Sequence, residues 1–363
     1  MQPSPPKFDV AVYVGRFQPF HNGHLALLQR ALALAPLCVV VIGSANQART
    51  PKNPFTWAER AEMIGQALEP NDRARVRVRP VRDHSDQARG VAAVRTGVAG
   101  LVATEGKRPR RRVVLVGHFK DATSEYLRGF PGWAVESVAR VAAADGTQLR
   151  NALFSGAALS LEPTLQATLA PPLAAFTGQV PQTTLDFLRA WVRLPCFERL
   201  AHEWRMLNEY HASWARAPYP PVFVTVDAVV RCAGHVLLIR RAHAPGVGLL
   251  AVPGGFIEQR ETAYQSCLRE LKEETRLRVP DETLRQCLKA NAVFDHPDRS
   301  LRGRTITHAF YFDLGERELP EVQADDDAQS VQWLPVEHVL AAEDQFHDDH
   351  FHMLDHFLGL TEA

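Results

Sequence analysis

The sequence predicts two α/β domains, the first an open parallel sheet covered by helices and the second a separate fold mixing strands with one long helix. Three observations carry this. The chain has 363 residues, and at ~150 residues per domain that gives about two. The first half alternates nearly all-apolar runs of strand length with helical stretches, the pattern of parallel strands buried on both faces. Residues 217–221 (APYPP) cannot continue a helix, and the half beyond them has a different texture and opens on a β-rich run.

Residues 9–14 (DVAVYV) form the first buried strand, followed by a short loop and a helix over about 23–35. Residues 37–42 (LCVVVI) form the second strand. Residues 54–68 read as a helix whose start is marked by Thr56 and, three positions on, Glu59, a capping box. A strand over 75–81, a helix over 91–102 and a buried strand over 113–116 complete the alternation. Residues 163–181 are richer in Pro, Thr and Ala. Residues 185–214 read as one helical segment carrying Phe187, Trp191, Phe197, Trp204, Tyr210 and Trp214, aromatics that imply packing against something. The second half continues with strands over 222–230 and 236–240, a Gly-rich turn, a long helix and an alternating strand over 305–314. The domains expected are 1–185 and 219–363, with 186–218 as a helical linker.

Composition narrows the function classes. Apolar residues are 46% and charged residues 23%, which excludes a disordered or fibrous chain. Lys+Arg and Asp+Glu are 41 each, a balance that argues against nucleic acid or a membrane surface as partner. No apolar run approaches the ~18 residues of a membrane span, and the first eight residues (MQPSPPKF) lack a signal core. The five cysteines are scattered without a CxxC pair, so the expectation is a reduced, cytoplasmic protein without disulfides. The basic run 107–112 (KRPRRR) reads as a solvated loop.

Chemistry concentrates first in the loop after the opening strand, Gly15-Arg16-Phe17-Gln18-Pro19-Phe20-His21-Asn22-Gly23-His24. A glycine at a strand end lets backbone approach a ligand closely, and a following helix offers free N–H groups to an anion. His21 and His24, three apart at that helix start, can face one phosphate, where imidazole N–H donors suit charge growing during transfer. The HxGH string and its surroundings resemble the nucleotidyltransferase superfamily, and in particular the archaeal-like nicotinamide-nucleotide adenylyltransferases. Further matches follow in order: Ile42-Gly43-Ser44-Ala45, Asn53-Pro54-Phe55-Thr56 with Glu59-Arg60, Val116-Gly117-His118-Phe119-Lys120-Asp121, Phe130-Pro131-Gly132-Trp133, and Gly146-Thr147-Gln148-Leu149-Arg150. The match covers roughly the first 185 residues. Asp145 stands where the last motif often has serine, and residues 83–89 (DHSDQAR) lack the aromatics of the family.

This resemblance implies a Rossmann-like domain in which the 5′-phosphate of nicotinamide mononucleotide (NMN) attacks the α-phosphorus of ATP, giving NAD and pyrophosphate. Positioning and charge stabilisation then suffice, without an enzyme nucleophile. It implies His21, His24 and Arg16 as catalytic, and Gly15, Phe17, Gly23, Lys120, Thr147 and Arg150 on ATP or its phosphates. Asp121 and Trp133 fall on the nicotinamide side, with a core role for Trp133 equally open. Arg49 and Lys52 are read as solvated surface. Mg²⁺ would bridge phosphate oxygens.

The second constellation runs from Gly255 to Glu261 and on to Arg269-Glu270-Leu271-Lys272-Glu273-Glu274. Glu270, Glu273 and Glu274 lie on one helix face. Their mutual repulsion is removed by a divalent cation with hard oxygen ligands, Mg²⁺ or Mn²⁺. Arg269 can pair with Glu261, and the Gly254-Gly255 pair can bring a carbonyl to the same metal. The spacing G-x5-E-x7-R-E-x2-E-E resembles the Nudix box, with Leu271 and Leu277 at its aliphatic positions. Arg276 replaces its glycine, which predicts an altered helix end above an intact metal face. The resemblance implies an α/β/α sandwich that hydrolyses a nucleoside diphosphate derivative, with Gly255, Glu270, Glu273 and Glu274 on the metal and the general base left open.

Arg299, Arg302 and Arg304, between two strands, suit a diphosphate. The order of the two halves resembles bacterial bifunctional proteins whose Nudix half acts on ADP-ribose, giving AMP and ribose 5-phosphate. The alternatives are another nucleoside diphosphate derivative, or a nucleotide-sensing module permitted by Arg276. A homo-oligomer stays open. The C-terminal His347, Asp348, Asp349, His350, His352, Asp355 and His356 read as a mixed surface helix rather than a metal site.

Overall fold

A computed structural model describes residues 6–84, 86–104, 111–118, 129–139, 145–155, 173–325 and 327–361. The chain forms two compact units, residues 1–202 and 203–363.

The first unit runs β1 (Val10–Gly15), α1 (Asn22–Leu34), β2 (Leu37–Ile42), α2 (Trp57–Gln66), α3 (Pro70–Arg73), β3 (Val76–Pro80), α4 (Gln87–Thr104), β4 (Val113–Gly117), β5 (Ala134–Ser137), α5 (Gly146–Ser155), α6 (Gln182–Trp191) and α7 (Pro195–Ser213), whose later turns enter the second unit. Its five strands are all parallel, in the order β3-β2-β1-β4-β5. Valines and leucines at β1, β2 and β4 pack on Val94 and Val98 of α4 and on Phe130. The strand order reverses at β1, so a crevice opens beyond the carboxyl ends of β1 and β4, where open α/β sheets bind ligands. The capping box at α2 is formed: the Thr56 hydroxyl accepts from the Glu59 amide at 3.3 Å, and the Glu59 carboxylate accepts from the Thr56 amide at 2.7 Å.

The single helix expected over 185–214 is two helices. Residue 195 is proline, which removes a backbone donor and pushes Leu194 out of helical conformation, so α6 stops at Trp191 and α7 begins anew. Trp191 is buried, 4.7 Å from Phe55 and 5.8 Å from Phe197 between ring centroids. The aromatics of α6 therefore belong to the core of the first unit.

The second unit runs β6 (Val222–Cys232), β7 (His235–Arg241), β8 (Leu250–Ala251), β9 (Gly254–Phe256), α8 (Ala263–Thr275), α9 (Asp281–Cys287), β10 (Leu288–Phe294), β11 (Arg304–Asp313), β12 (Ala328–Pro335), α10 (Val336–Val339) and α11 (His350–Leu358). The sheet is mixed, ordered β10-β11-β6-β7-β12, with β9 on β6 and β8 on β7. Alternation along β6 sends Val226, Ala228 and Val230 to Leu268 and Leu271 of α8, and Val229 to Phe351, Met353 and Leu354 of α11. The result is an α/β/α sandwich.

The C-terminal stretch is not a surface helix. Phe351, Met353 and Leu354 supply an apolar face that docks on the sheet, and this carries His347, His350 and Asp355 into the interior. Among the described residues no helix is long and apolar enough to cross a membrane. The five cysteines are free. Trp191→Ala should cost the first unit about 3–5 kcal/mol in urea unfolding. Trp191→Phe, which also removes a buried Nε1–H without an acceptor, should cost less than half as much.

Candidate functional site

In the first unit the histidine loop is shaped by close packing. A Cβ on Gly15 would stand 2.7 Å from the Phe17 ring, so only glycine fits. Phe17 is buried, edge-on to Tyr13 at 5.2 Å and to His24 at 5.0 Å. Any contact it makes to a ligand therefore comes from its backbone. Gln18 fixes the loop from below, donating to the Phe55 carbonyl at 2.9 Å and accepting the Phe55 amide at 3.0 Å.

His21 and His24 form a reciprocal cap on α1. Each Nδ1 accepts the other's backbone N–H at 3.3 Å, and the rings stack 3.6 Å apart at 17°. With Nδ1 accepting, the proton of each neutral ring is assigned to Nε2. Burial, and then the neighbouring His21, hold His24 well below the usual histidine range, so it is a neutral donor at physiological pH. Gly23 sits in the first turn of α1, beside the helix's free N–H groups.

The late motif closes on this loop from across the crevice. Arg150 donates to the Gln18 carbonyl at 2.7 Å and to the Thr147 hydroxyl at 3.1 Å, and a Cβ on Gly146 would stand 3.2 Å from the same carbonyl. Burial, and then the like charge of Arg16, lower Arg150 to about 10. Asp145 caps α5, accepting the amides of Thr147 at 2.8 Å and Gln148 at 3.2 Å. It thus does the work of the serine it replaces. Arg60, 1% exposed, donates to the carbonyls of Arg16, Gly43, Ser44 and Thr56. It holds both loops at the strand ends. Arg49 is tied to Glu59 and the Pro54 carbonyl. Trp133 stacks on Phe130 at 4.9 Å with Arg95 5.7 Å from its centre. Lys120 and Asp121 lie outside the described residues.

In the second unit the box brings backbone onto carboxylate. A Cβ on Gly255 would stand 2.6 Å from either Glu270 oxygen, and one on Gly254 would meet the Val226 carbonyl and Asp227. Arg269 ties loop to helix, donating to Glu261 at 3.0 Å, to Glu270 and Glu273 at 2.8 Å and to the Phe256 carbonyl at 3.2 Å. Glu274 is buried, and its carboxylate accepts the Gly254 amide at 2.9 Å. Burial raises it to about 8 against that hydrogen bond. The three glutamates share a helix face unequally: Glu273 is solvent-facing, Glu270 lies against Gly255, and Glu274 is inside. Among the described residues they do not converge as a ready-made ligand cluster. The donor set nonetheless fits a hard divalent cation. Its donors are hard carboxylate oxygens on one helix face, the Gly255 backbone lies directly against one of them, and a cation is what a buried carboxylate such as Glu274 needs in order to ionise.

These two geometries have relatives. A cytidylyltransferase-like family model matches residues 12–86 and a NUDIX domain model matches residues 221–357. A nicotinamide/nicotinic acid mononucleotide adenylyltransferase of Acinetobacter baylyi is 32% identical over 55% of this chain and 95% of its own length. The crystal structure of a bifunctional NMN adenylyltransferase/ADP-ribose pyrophosphatase from Francisella tularensis matches at TM-score 0.85 and 31% identity, over 97% of this chain and 99% of that one. Its complex with AMP and a Mn ion matches at 0.84, with the same identity and coverage. The chain belongs to this bifunctional adenylyltransferase/pyrophosphatase family.

Within this bifunctional architecture three placements depart from expectation. Arg276 does not alter the end of α8. It takes the left-handed conformation, φ 45° and ψ 34°, that the box glycine would take, and its Nε donates to Asp325 at 2.8 Å. Arg299 is not an open arginine: its side chain is 5% exposed and makes a two-armed pair with Asp349, because a buried cation needs a partner. Arg304 turns back on the Asp295 carbonyl. Arg302 alone of the three has an uncommitted guanidinium, 5.1 Å over the ring of Phe256 and with its Nε unpaired.

Sequence reasoning missed Asp227, which lies against Gly254, and His350, which accepts the Val252 amide. Asp227 is the lone carboxylate in the apolar run of β6, a signal that could have found it. Arg276→Gly trades left-handed strain for backbone entropy and a solvent-screened pair. It should shift stability by no more than about 1 kcal/mol in denaturant unfolding, with ADP-ribose hydrolysis unchanged.

Proposed function

We propose that the first unit joins NMN to ATP, giving NAD and pyrophosphate, and that the second hydrolyses ADP-ribose to AMP and ribose 5-phosphate. The observation that carries this reading is coverage. The bifunctional Francisella structure aligns with nearly the whole chain, so both halves are matched together. The HxGH loop and the glutamate helix give each half its own phosphate chemistry.

In the first unit the triphosphate lies over the start of α1. The Nε2–H groups of His21 and His24 and the amides of the first turn donate to it. Arg16 of the same loop, and Thr147 and Arg150 from across the crevice, grip it. The NMN phosphate then attacks the α-phosphorus, pyrophosphate leaves in line, and the donors stabilise charge spreading over the transferred group. Trp133 offers a ring for the nicotinamide, a cationic ring over an indole.

In the second unit Gly255, Glu270, Glu273 and Glu274 would hold Mg²⁺ or Mn²⁺, consistent with the Mn ion of the Francisella complex. A bound cation would supply Lewis acidity and an activated water. Arg302 grips the diphosphate, with Phe256 fixing its guanidinium. Arg269 holds the loop of Gly255 and Phe256 onto α8 while sharing the charge of Glu270 and Glu273. The sensing-module alternative drew on Arg276, and with arginine there Glu274 keeps its bond to the Gly254 amide.

Assays on the full chain test both halves. ATP, NMN and Mg²⁺ should yield NAD, and ADP-ribose with Mg²⁺ or Mn²⁺ should yield AMP. His24→Ala should lower NAD formation roughly 10²–10³-fold and leave AMP formation intact. Glu274→Gln should lower AMP formation by at least about tenfold to a hundredfold and leave NAD formation intact. Turnover of another acceptor but not NMN would overturn the first assignment.

A further inference from the structure

The start of the C-terminal helix holds buried polar groups that the chemistry above does not use. Residues 347–350 make ties to two separate loops. The His347 amide donates to the Leu250 carbonyl at 2.8 Å, and His350 Nδ1 accepts the Val252 amide at 3.1 Å. Both bonds fall just before Gly254. Asp349 accepts two bonds from Arg299, at 2.9 and 2.7 Å. They fall on the β10–β11 loop, three residues before Arg302.

We propose that His350 and Asp349 are positioning residues of the hydrolase site with divided labour. His350 sets the loop that presents Gly254 and Gly255 to the glutamates, and Asp349 sets the loop that presents Arg302 to the substrate. This rests on the hydrolase reading of the second unit.

Val252, whose amide His350 accepts, is buried. Its amide has no access to water, so its place follows the imidazole that accepts it. With Nδ1 accepting, the His350 proton sits on Nε2, 4.0 Å from Asp227 Oδ1. Asp227 accepts from Thr307 and is the carboxylate that leaves no room for a Cβ on Gly254. A continuous buried path thus runs from the C-terminal helix to the glycine. Burial holds His350 well below the usual histidine range, which keeps Nδ1 available as an acceptor.

Asp349 acts through charge. Arg299 is inside, and a buried guanidinium deprived of its two-armed partner pulls its loop toward water. Arg302 travels with that loop. Neither tie is needed for the apolar docking of the helix, which rests on Phe351, Met353 and Leu354.

The test combines steady-state ADP-ribose kinetics with amide hydrogen exchange on the full-length chain, with NAD formation by the first unit as the control for an intact protein. His350→Ala should lower kcat about tenfold or more with KM within about twofold, and exchange should accelerate over residues 252–255 only. His350→Asn, whose Oδ1 can replace Nδ1 as acceptor, should restore kcat and exchange to near wild type. Asp349→Asn should raise KM about tenfold with kcat little changed, and accelerate exchange over residues 295–303 only. Should His350→Ala fail to fold, His350→Asn and Asp349→Asn still decide the matter. Equal effects on both kinetic constants, exchange unchanged in both loops, or loss of protection with His350→Asn would overturn the proposal. A wild-type chain inactive on ADP-ribose would remove the hydrolase reading instead, while the exchange pattern would still judge the two ties.

Discussion

Both sites depend on main chain passing closer to a side chain than a Cβ would permit. Gly15 lies under the Phe17 ring and Gly255 on the Glu270 carboxylate. In each case the glycine lets a backbone segment share a surface with groups that hold charge. In the first unit that surface carries the stacked histidines, and in the second the glutamates of α8. Substrate phosphates are small and highly charged, so sub-ångström placement of backbone dipoles governs how well they are held.

Crowded like charge is the second constraint, and each unit meets it differently. In the first, burial and then the like charge of Arg16 depress the affinity of Arg60 and Arg150 for protons. Arg60 spends its guanidinium on four carbonyls, leaving Arg16 and Arg150 to face an anion. In the second, Arg269 spreads one cation over Glu261, Glu270 and Glu273. Glu274, out of its reach, is the carboxyl that burial holds up. The bonds of Arg269 also keep the helix formed, where three glutamates alone would repel.

Local patterns in the sequence were the legible part. The capping box at Thr56, the apolar strands of the parallel sheet, the pairing of Arg269 with Glu261 and the helix face of glutamates all follow from short-range spacing. Long-range placement was not legible. The bond between Arg150 and the Gln18 carbonyl joins positions far apart in sequence, and so does the pair of Arg299 with Asp349. The C-terminal histidines look polar in a sequence window, yet they enter the interior because Phe351, Met353 and Leu354 anchor their helix. Arg276 shows the opposite failure. A glycine position suggested distortion, but the neighbouring Asp325 holds an arginine in the same left-handed turn.

On the proposed function, two separate glycine-built sites act in one chain, one joining nucleotides and one splitting them. The most direct measurement is the rate of NAD and of AMP formation by Gly255→Ala, assayed side by side with wild type. A Cβ there must displace Glu270, so AMP formation should fall by about a hundredfold while NAD formation stays at the wild-type rate. Undiminished AMP formation, or a parallel fall in both products, would contradict the account.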